Sequence, residues 1–340
     1  MKASFKKQVF HFREAAKTSR DILYEKESYF LKIRDNASSG SGECSFIRGL
    51  SCDRMEKYED KLEELCRHID HHEQIDLTDF PSIRFGLETA LRDLAHRGGH
   101  IIFDNGFHSG QKKIPINGLI WMSDFPSMMS QIKSKIEQGF ECIKIKIGQF
   151  CFDEELDFLK TVRRNYPRIS LRLDANGAFD AKDALLKLHL LSEIGPHSIE
   201  QPVKAGQWEE MAWICEKSPV KIALDEELIG IHDAEKQRAL LDTIKPHFLV
   251  LKPSLSGGFQ RCDQWITFAR KRKISWWGTS ALESNVGLNA IAQWISGYDT
   301  DIPHGLGTGM LYTNNIPSPL KVQNGYIYWD VNEKWGNMEY

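Results

Sequence analysis

The sequence has no excess of charge of either sign and no long apolar run. Its 340 residues include 44 Lys and Arg against 47 Asp and Glu, a formal net charge of −3. A chain without a basic field does not hold nucleic acid or an anionic membrane surface by charge alone. No segment approaches the ~18 consecutive apolar residues that a membrane helix needs. These absences predict a soluble protein whose partner is a small molecule.

The sequence also lacks paired cysteines of the kind that bind zinc or form a disulfide framework. Its seven cysteines are odd in number, scattered and without a Cys-x-x-Cys motif: Cys44, Cys52, Cys66, Cys142, Cys151, Cys215 and Cys262. This pattern argues against a zinc ribbon and against a disulfide-stabilised secreted domain. We therefore expect a protein of the reducing cytoplasm.

The N-terminal part of the chain reads as strands followed by helices. Two β-prone runs, 5–13 and 21–33, are expected to be antiparallel neighbours, and 44–50 is expected to be a third strand. The helical spacing of apolar residues predicts helices over 55–69 and 82–95. Residues 1 to about 112 are thus predicted to form a small α+β unit.

From Pro115 onward, short β-branched runs alternate with amphipathic helices. Candidate strands lie at 116–121, 142–147, 169–174, 198–200, 221–225, 248–252 and 274–277, and candidate helices at 125–138, 153–165, 181–194, 208–217, 234–244, 259–271 and 285–297. An open doubly wound sheet usually carries a glycine-rich turn after its first strand, and none follows residues 116–121. The alternation therefore predicts an α/β fold of the (β/α) barrel type.

Charged residues stand where these candidate strands end. Period-two alternation places Lys144 and Lys146 on one face of their strand, and Arg172, Asp174 and Asn176 on one face of the next. Lysines that face a barrel interior are costly to bury, so they indicate a function there. The alternative is the solvated face of an antiparallel strand.

The spacing of five charged residues matches the length of one β/α unit. The intervals between them are 28, 26, 25 and 27 residues, for Lys146, Asp174, Glu200, Asp225 and Lys252 in order. We expect all five at the catalytic end of the barrel. Three convergent carboxylates with no His or Cys call for a hard divalent cation, Mg²⁺ before Mn²⁺, and not for zinc.

A lysine on each side of such a metal indicates proton transfer. A neighbouring ammonium and the divalent cation both disfavour the charged form of a lysine, so one of the two is expected to act as a base. The metal would hold a substrate carboxylate and stabilise the enediolate formed when the adjacent carbon loses its proton. Because neighbouring residues on a strand point to opposite faces, we expect Asp225 as the ligand and Glu226 as the partner of a lysine.

Short motifs in a fixed order connect the chain to a known superfamily. They are Lys-Ile-Lys-Ile-Gly148, Asp-Ala-Asn-Gly177, Ile-Glu-Gln-Pro202, Ala-Leu-Asp-Glu226, Leu-Lys-Pro253 and Ser-Ala-Leu-Glu-Ser284. Over essentially its whole length the chain resembles the muconate-lactonising subgroup of the enolase superfamily. The resemblance implies a (β/α)7β modified TIM barrel over 113–318, an N-terminal α+β capping domain over 1–112, and a segment over 319–340 that packs back toward the cap.

The same resemblance implies roles for particular residues. Lys146 and Lys252 would face each other across the substrate as catalytic residues, with Asp174, Glu200 and Asp225 as ligands of Mg²⁺, for which Mn²⁺ is a possible substitute. Within the subgroup the chain most resembles the o-succinylbenzoate synthases of menaquinone biosynthesis, through Arg172, the run ending at Ser284 and the run His-Gly-Leu-Gly-Thr308. The implied substrate-binding residues are Lys144, Arg172, Asn176, Ser280, Glu283 and Gly305.

Two other functions stay open at this point. Racemisation of an N-acylated amino acid, or epimerisation of a dipeptide, would use Lys146 and Lys252 as opposed acid and base. Dipeptide epimerases of the subgroup usually carry an Asp-x-Asp pair near the last barrel strand, where this chain has the uncharged run from His304 to Gly309. A non-catalytic, metal-dependent binding protein would have no use for two buried lysines.

Two polar segments of the N-terminal unit are candidates for a lid over the barrel mouth. They are residues 15–20, and residues 36–43, which are rich in Ser and Gly. We expect them to be flexible loops, with Lys17 or Arg20 as the partner of a substrate carboxylate. A plain solvated loop is an equal alternative for both.

Overall fold

The N-terminal unit is a three-stranded sheet covered by two helices. The structure is a computed structural model that describes residues 1–17 and 22–337. Strands β1 (Lys2–Lys17), β2 (Ile22–Arg34) and β3 (Ser39–Ser45) pair antiparallel in that order. Helices α1 (Tyr58–Arg67) and α2 (Pro81–Ala95) contribute apolar side chains to the core beneath this sheet. The predicted first two strands and both helices are confirmed, but β1 continues to Lys17, so the predicted loop over 15–20 is wrong for residues 15–17.

The Gly- and Ser-rich segment is a buried strand and not a flexible loop. Strand β3 lies against α2 with almost no space between the two backbones. A Cβ atom on Gly40 would lie 2.1 Å from the carbonyl oxygen of Ala90, and one on Gly42 would lie 1.9 Å from that of Gly86. The predicted loop over 36–43 is wrong from Ser39 onward, and the predicted strand over 44–50 begins earlier and ends at Ser45, because these glycines allow a close approach of strand and helix.

The central unit is a curled parallel sheet with helices outside it. After β4 (Lys113–Pro115), the sheet contains β5 (Gly118–Ile120), β6 (Cys142–Lys146), β7 (Ser170–Asp174), β8 (Ser198–Glu200), β9 (Ile222–Leu224), β10 (Phe248–Leu251) and β11 (Ser275–Gly278), hydrogen-bonded in chain order. The helices are α3 (Phe125–Glu137), α4 (Phe152–Asn165), α5 (Ala181–Ser192), α6 (Trp208–Lys217), α7 (Ala234–Ile244), α8 (Pro253–Ser256), α9 (Phe259–Lys271) and α10 (Asn285–Ser296). The predicted barrel is confirmed.

A two-residue segment takes the place of an eighth strand. His304 exchanges backbone hydrogen bonds with the chain just before β5: its N–H donates to Pro115 and its carbonyl accepts from Asn117, at 2.8 and 2.9 Å. The next residue, Gly305, bonds to the end of β11 through Gly278 and Ser280, both at 2.9 Å. This segment closes the ring, so the ends of all seven strands surround one mouth.

Short polar residues fix where several barrel helices begin. The side chains of the N-cap residues accept backbone N–H groups at the first turns of α3, α5, α7 and α10; these residues are Asp124, Asp180, Asp233 and Ser284. Each cap ends a strand-to-helix loop, and these loops form the rim of the mouth. Among the helices that the structure describes, none has the length and hydropathy to cross a membrane.

The N-terminal unit docks on the barrel through a cluster of aromatic and aliphatic side chains. Residues of β1 and β2 meet the start of α10 and the chain beyond the barrel in this cluster, which contains Phe10, Phe12, Phe30, Leu282, Val286, Tyr312 and Ile316. All seven side chains are buried. This apolar contact places the N-terminal unit over one side of the mouth.

The C-terminal segment contacts both units. Strands β12 (Leu320–Gln323) and β13 (Tyr326–Trp329) form a hairpin, and β13 pairs antiparallel with β4. Further on, the ring of Trp335 lies 4.1 Å from that of His100. The domain boundaries near residues 112 and 318 stay a prediction. Arg20 and the side chain of Lys17, the candidate lid cations, lie outside the described part of the chain.

Candidate active site

The charged residues at the strand ends meet at the barrel mouth. In the parallel register, Lys146 pairs with Asp174, and Asp174 pairs with Glu200. Asp225 and Lys252 are the residues that directly follow β9 and β10. Because the carboxyl ends of parallel strands point the same way, the structure brings together all five residues that their spacing selected.

The lysines and carboxylates form a buried network. Lys144 Nζ lies 2.6 Å from Glu200 Oε1 and 2.8 Å from Asp174 Oδ2. Lys146 Nζ lies 3.7 Å from the same Asp174 oxygen, and Lys252 forms an ion pair with Asp225. The three carboxylate side chains are each 2% exposed. Charges this deeply buried are stable only when they are paired, which these are.

The carboxylates stabilise the charged form of two of the lysines, Lys144 and Lys252. Although burial alone would lower it, Asp174 and Glu200 raise the pKa of Lys144 above its ordinary value. Burial likewise opposes a rise at Lys252, yet Asp225 raises the pKa of that lysine. Lys144 lowers the pKa of Lys252, as expected of a neighbouring ammonium, but the carboxylates outweigh this effect and the net shift of both lysines is upward. A cation on the carboxylates would act in the opposite direction.

The donor set fits a hard divalent cation. Burial and the nearby Asp174 raise the pKa of Glu200 well above its ordinary value. The second oxygen of Glu200, Oε2, is buried and has no hydrogen-bond partner. Within residues 1–17 and 22–337, no three His, Cys, Asp or Glu side chains are arranged as a group that could hold a metal ion. Between Asp174 and Glu200 lies the ammonium of Lys144. An unpartnered carboxylate oxygen among three carboxylates is nevertheless the chemistry that Mg²⁺ prefers.

Glu226 forms a hydrogen bond with an asparagine and acts on a lysine through its charge. Its Oε1 accepts a hydrogen bond from Asn176 Nδ2 at 3.0 Å, and Asn176 Oδ1 in turn accepts from Lys146 Nζ at 2.7 Å. Asn176 has a φ of +45°, which turns its side chain between the two partners. Glu226 thus reaches Lys146 through Asn176, and its charge raises the pKa of Lys252, which agrees with its expected role as the partner of a lysine.

A cavity of about 150 Å³ lies above this network. Eight of the residues selected from the sequence line it, namely Lys144, Lys146, Asp174, Asn176, Glu226, Lys252, Ser280 and Gly305. The rest of the barrel side of the wall consists of Asn117, Leu119, Trp121, Thr279, Ala281, Leu282, Gly307 and Thr308. The N-terminal unit supplies the opposite wall, with Leu23, Ile47, Arg48 and Leu50. The cavity is therefore mostly apolar, with charged groups concentrated on the barrel side.

Comparison with known proteins assigns the fold and the family. Residues 127–336 match a family model described as enolase C-terminal domain-like, and residues 15–94 match the N-terminal domain of MenC. An o-succinylbenzoate synthase from Desulfotalea psychrophila is 42% identical to the chain, over 96% of this chain and 98% of that protein. The chain belongs to the o-succinylbenzoate synthase family of the enolase superfamily.

Solved structures agree with this assignment. The crystal structure of MenC from Desulfotalea psychrophila matches with a TM-score of 0.88 and 40% identity, covering 96% of this chain and 99% of that one. A dipeptide epimerase from Enterococcus faecalis, solved in complex with Mg and a dipeptide, matches with a TM-score of 0.83 and 16% identity over 98% of each chain. Members of the superfamily depend on a divalent metal, in keeping with the carboxylate set found here.

Two of the expected substrate-binding residues do not line the cavity. Arg172 is buried below it, where its guanidinium lies 4.0 Å from the centre of the Trp277 ring and its Nη1 donates to the Pro303 carbonyl at 2.7 Å. It precedes Asp174 by two residues, so it shares that residue's face but lies one layer deeper in the barrel. Direct contact of Arg172 with a substrate is not supported by this position.

Glu283 is the second expected substrate-binding residue that does not line the cavity. It forms hydrogen bonds with residues of the cavity wall. Its Oε2 accepts from Ser280 Oγ at 2.5 Å and from the Ala281 N–H at 2.6 Å, while its Oε1 accepts from Ser254 Oγ at 2.5 Å. Ser280 Oγ also accepts from Thr308 at 2.8 Å. Glu283 therefore orients Ser280 and does not reach the cavity itself.

The cavity residues from the N-terminal unit were missed by sequence reasoning. Ile47, Arg48 and Leu50 follow β3 in a turn, and Leu23 lies near the start of β2. The signal available in the sequence was Arg48, a charged residue in a turn with apolar residues around it. That signal is weak, because only docking of the two units shows that this turn faces the barrel mouth.

Proposed function

We propose that the protein is an o-succinylbenzoate synthase. It would convert 2-succinyl-6-hydroxy-2,4-cyclohexadiene-1-carboxylate into 2-succinylbenzoate and water, by a syn elimination in menaquinone biosynthesis. The observation that carries the proposal is the pair of lysines on the cavity wall beside three buried carboxylates. The relative of the same name supports it over nearly the whole chain. Seven free thiols support a cytoplasmic location.

The three carboxylates of Asp174, Glu200 and Asp225 would hold Mg²⁺, with Mn²⁺ as a substitute. The ion would supply a positive charge that stabilises negative charge developing on the substrate's ring carboxylate. Lys144, which contacts both Asp174 and Glu200, would keep these two ligands in place. Each of these residues is held on a strand or at a strand end, so the site is rigid.

Lys146 would carry both proton transfers. As the free amine, it takes the proton from the ring carbon that bears the carboxylate, and the electron pair of that C–H bond is delocalised onto the carboxylate oxygens until it forms the new double bond of the ring. The C–O bond to the ring hydroxyl then breaks, and the protonated Lys146 returns the proton to the leaving oxygen, so that water departs. Asn176 Oδ1, 2.7 Å from Nζ, aims this amine from one side throughout.

Lys252 would remain charged on the other side of the cavity. Its contact with Asp225 and its burial hold it in place. A fixed ammonium there stabilises the anion that forms when the ring carbon loses its proton. The two lysines thus have unequal tasks in an elimination, since only one face of the ring exchanges a proton.

The remaining cavity residues would bind the rest of the substrate. Ser280 and Gly305 offer hydrogen-bonding groups on the barrel side, opposite the apolar residues of the N-terminal unit. Arg48 is the cation that this unit adds to the cavity, and its side chain is 63% exposed. We propose that Arg48 pairs with the carboxylate of the succinyl tail. The earlier candidates, Lys17 and Arg20, stay a prediction, because Arg20 and the side chain of Lys17 lie outside the described residues.

Racemisation of an N-succinyl amino acid is the second candidate. It is favoured by one observation: Lys146 and Lys252 both line the cavity and are each 13% exposed, as opposed acid and base would be. A racemase needs proton transfer at both lysines, whereas the elimination needs it only at Lys146.

Turnover of the cyclohexadiene substrate separates these functions. Purified protein with Mg²⁺ is expected to produce the ultraviolet absorbance of the aromatic product, and chelation of the metal is expected to stop it. In parallel, solvent deuterium incorporation into an N-succinyl amino acid reports proton transfer on each face. Rapid incorporation from both faces with negligible dehydration would overturn the proposal in favour of a racemase, and full activity after chelation would refute the metal site.

A further inference from the structure

A buried glutamate of the N-terminal unit reaches across to the barrel. Glu43 lies on β3, and its exposed fraction is 0%. Its Oε1 accepts from Ser28 Oγ at 2.8 Å and from the Ser284 N–H at 3.0 Å. Its Oε2 accepts from Ser284 Oγ at 2.6 Å and from the Gly287 N–H at 3.0 Å. One carboxylate therefore joins a strand of the N-terminal unit to the start of a barrel helix through three hydrogen bonds, and a fourth, from Ser28, holds it within its own unit.

The barrel partner of Glu43 is the first turn of α10. Ser284 is the N-cap of that helix, and Gly287 lies in its first turn. Backbone N–H groups at a helix start carry partial positive charge and favour a carboxylate. A Cβ atom on Gly287 would lie 3.0 Å from Glu43 Oε2 and 2.7 Å from Glu283 Cγ, so the absence of a side chain there lets both glutamates approach.

The segment that Glu43 holds is continuous with the cavity wall. Residues 279–282 join β11 to α10, and all four line the cavity, whereas Glu43 does not. Glu283 fixes Ser280 from the barrel side, and Glu43 fixes Ser284 from the other unit. The loop is thus anchored at both ends by buried carboxylates, one of which belongs to a different structural unit.

We infer that Glu43 is a positioning residue for substrate binding, which holds the 279–284 loop in its binding geometry while the N-terminal unit is docked. It touches no substrate, and its effect reaches the cavity through Ser280. The inference about the loop rests on the structure alone. Its consequence for turnover rests on the proposed function.

A double-mutant cycle tests this role. Glu43→Gln keeps the shape of the side chain but replaces one acceptor oxygen by an NH₂ group, and since Ser284 donates to both oxygens, one of its two hydrogen bonds is lost in either orientation of the amide. We expect KM for the cyclohexadiene substrate to rise by about tenfold, the loss of a charge-assisted hydrogen bond, with kcat little changed. In a Ser280→Ala background the same substitution should change KM far less. Additive effects of the two substitutions would overturn the inference.

Amide hydrogen exchange tests the loop without any substrate. Residues 280–288 should exchange about tenfold faster in Glu43→Gln than in the wild type. The matched control is Glu25→Gln, which changes a glutamate on the neighbouring strand β2 whose side chain is 60% exposed, and which should alter neither exchange nor KM. Unchanged exchange in Glu43→Gln would refute the loop anchor, whereas faster exchange in a protein without dehydratase activity would refute only the proposed function.

A second variant covers the case in which Glu43→Gln does not fold. Ser28→Ala removes one donor to Glu43 on the side of the N-terminal unit and leaves the contacts with α10. It should raise KM in the same direction by a smaller factor, and Ser280→Ala should suppress that rise. A KM equal to that of the wild type in a folded Ser28→Ala protein would count against the inference.

Discussion

Replacing Lys144 by Met should destabilise the protein in a way that Mg²⁺ reverses. The ammonium of Lys144 lies 2.6 Å from Glu200 and 2.8 Å from Asp174, and both carboxylates are 2% exposed. Met retains the length and apolar character of the side chain but leaves two adjacent carboxylates without their shared cation. Removing one partner of a buried ion pair costs about 3–5 kcal/mol, so we expect a loss of that size in the free energy of unfolding in the presence of EDTA.

Magnesium should restore much of this loss, because a dication on the same carboxylates replaces the missing positive charge. The stabilisation by a ligand that binds only the folded protein grows as RT ln(1 + [L]/Kd). Urea unfolding followed by circular dichroism, in EDTA and in a series of Mg²⁺ concentrations, measures both quantities. The deficit of Lys144→Met relative to the wild type should shrink steadily as Mg²⁺ increases.

An exposed ion pair supplies the control. Lys321 lies 3.0 Å from Glu333, and the two side chains are 40% and 50% exposed. Lys321→Met should cost less than about 1 kcal/mol, with no dependence on Mg²⁺. A deficit of Lys144→Met that is the same at every Mg²⁺ concentration would show that the ion does not replace the charge of Lys144, and unfolding free energies that do not depend on Mg²⁺ in either protein would show that it does not bind the folded state.

Three further predictions concern the lysine pair, the tail site and the packing of β3. Lys146→Ala should lower kcat for dehydration by up to about 10⁴-fold, the full value of general acid–base catalysis. Lys252→Arg keeps its charge and should lower kcat much less. Equal losses of kcat in the two variants would contradict the unequal roles of the lysines. Arg48→Met should raise KM with kcat unchanged in the same ultraviolet assay, and an unchanged KM would remove Arg48 from the tail site. Gly42→Ala, whose Cβ would lie 1.9 Å from the Gly86 carbonyl oxygen, should cost more than about 3 kcal/mol, and a wild-type Tm would refute this close packing.

The barrel was predictable because its pattern is local. Each β/α unit repeats a short apolar strand and an amphipathic helix, so the helix predicted over 208–217 and the strand over 198–200 have the bounds found in the structure. The charged strand ends were equally accessible, since one charged residue per repeat places Asp174 and Glu200 side by side in a parallel sheet. Their roles in catalysis and metal binding stay predictions.

The features that sequence reasoning missed depend on contacts between distant segments. A Ser- and Gly-rich run has little intrinsic preference for a strand, and β3 forms because α2 leaves room for a backbone without side chains. Alternation places Arg172 on the face of Asp174, yet it does not give the depth at which each side chain lies. The contact of Arg48 with the cavity requires the docking of two units, which no local pattern encodes.

The closure of the barrel through His304 and Gly305 has a consequence for how the empty and the occupied protein differ. The ring is joined at this point by a single residue on each side, and Gly305 is also part of the cavity wall. A molecule that binds against Gly305 contacts this short junction of the ring. Its binding free energy therefore stabilises the closed ring relative to an open one. Binding should therefore hold the ring closed at this point. Residues 303–308 should be cleaved by a protease, and should exchange their amide hydrogens, more slowly in the occupied protein than in the empty one.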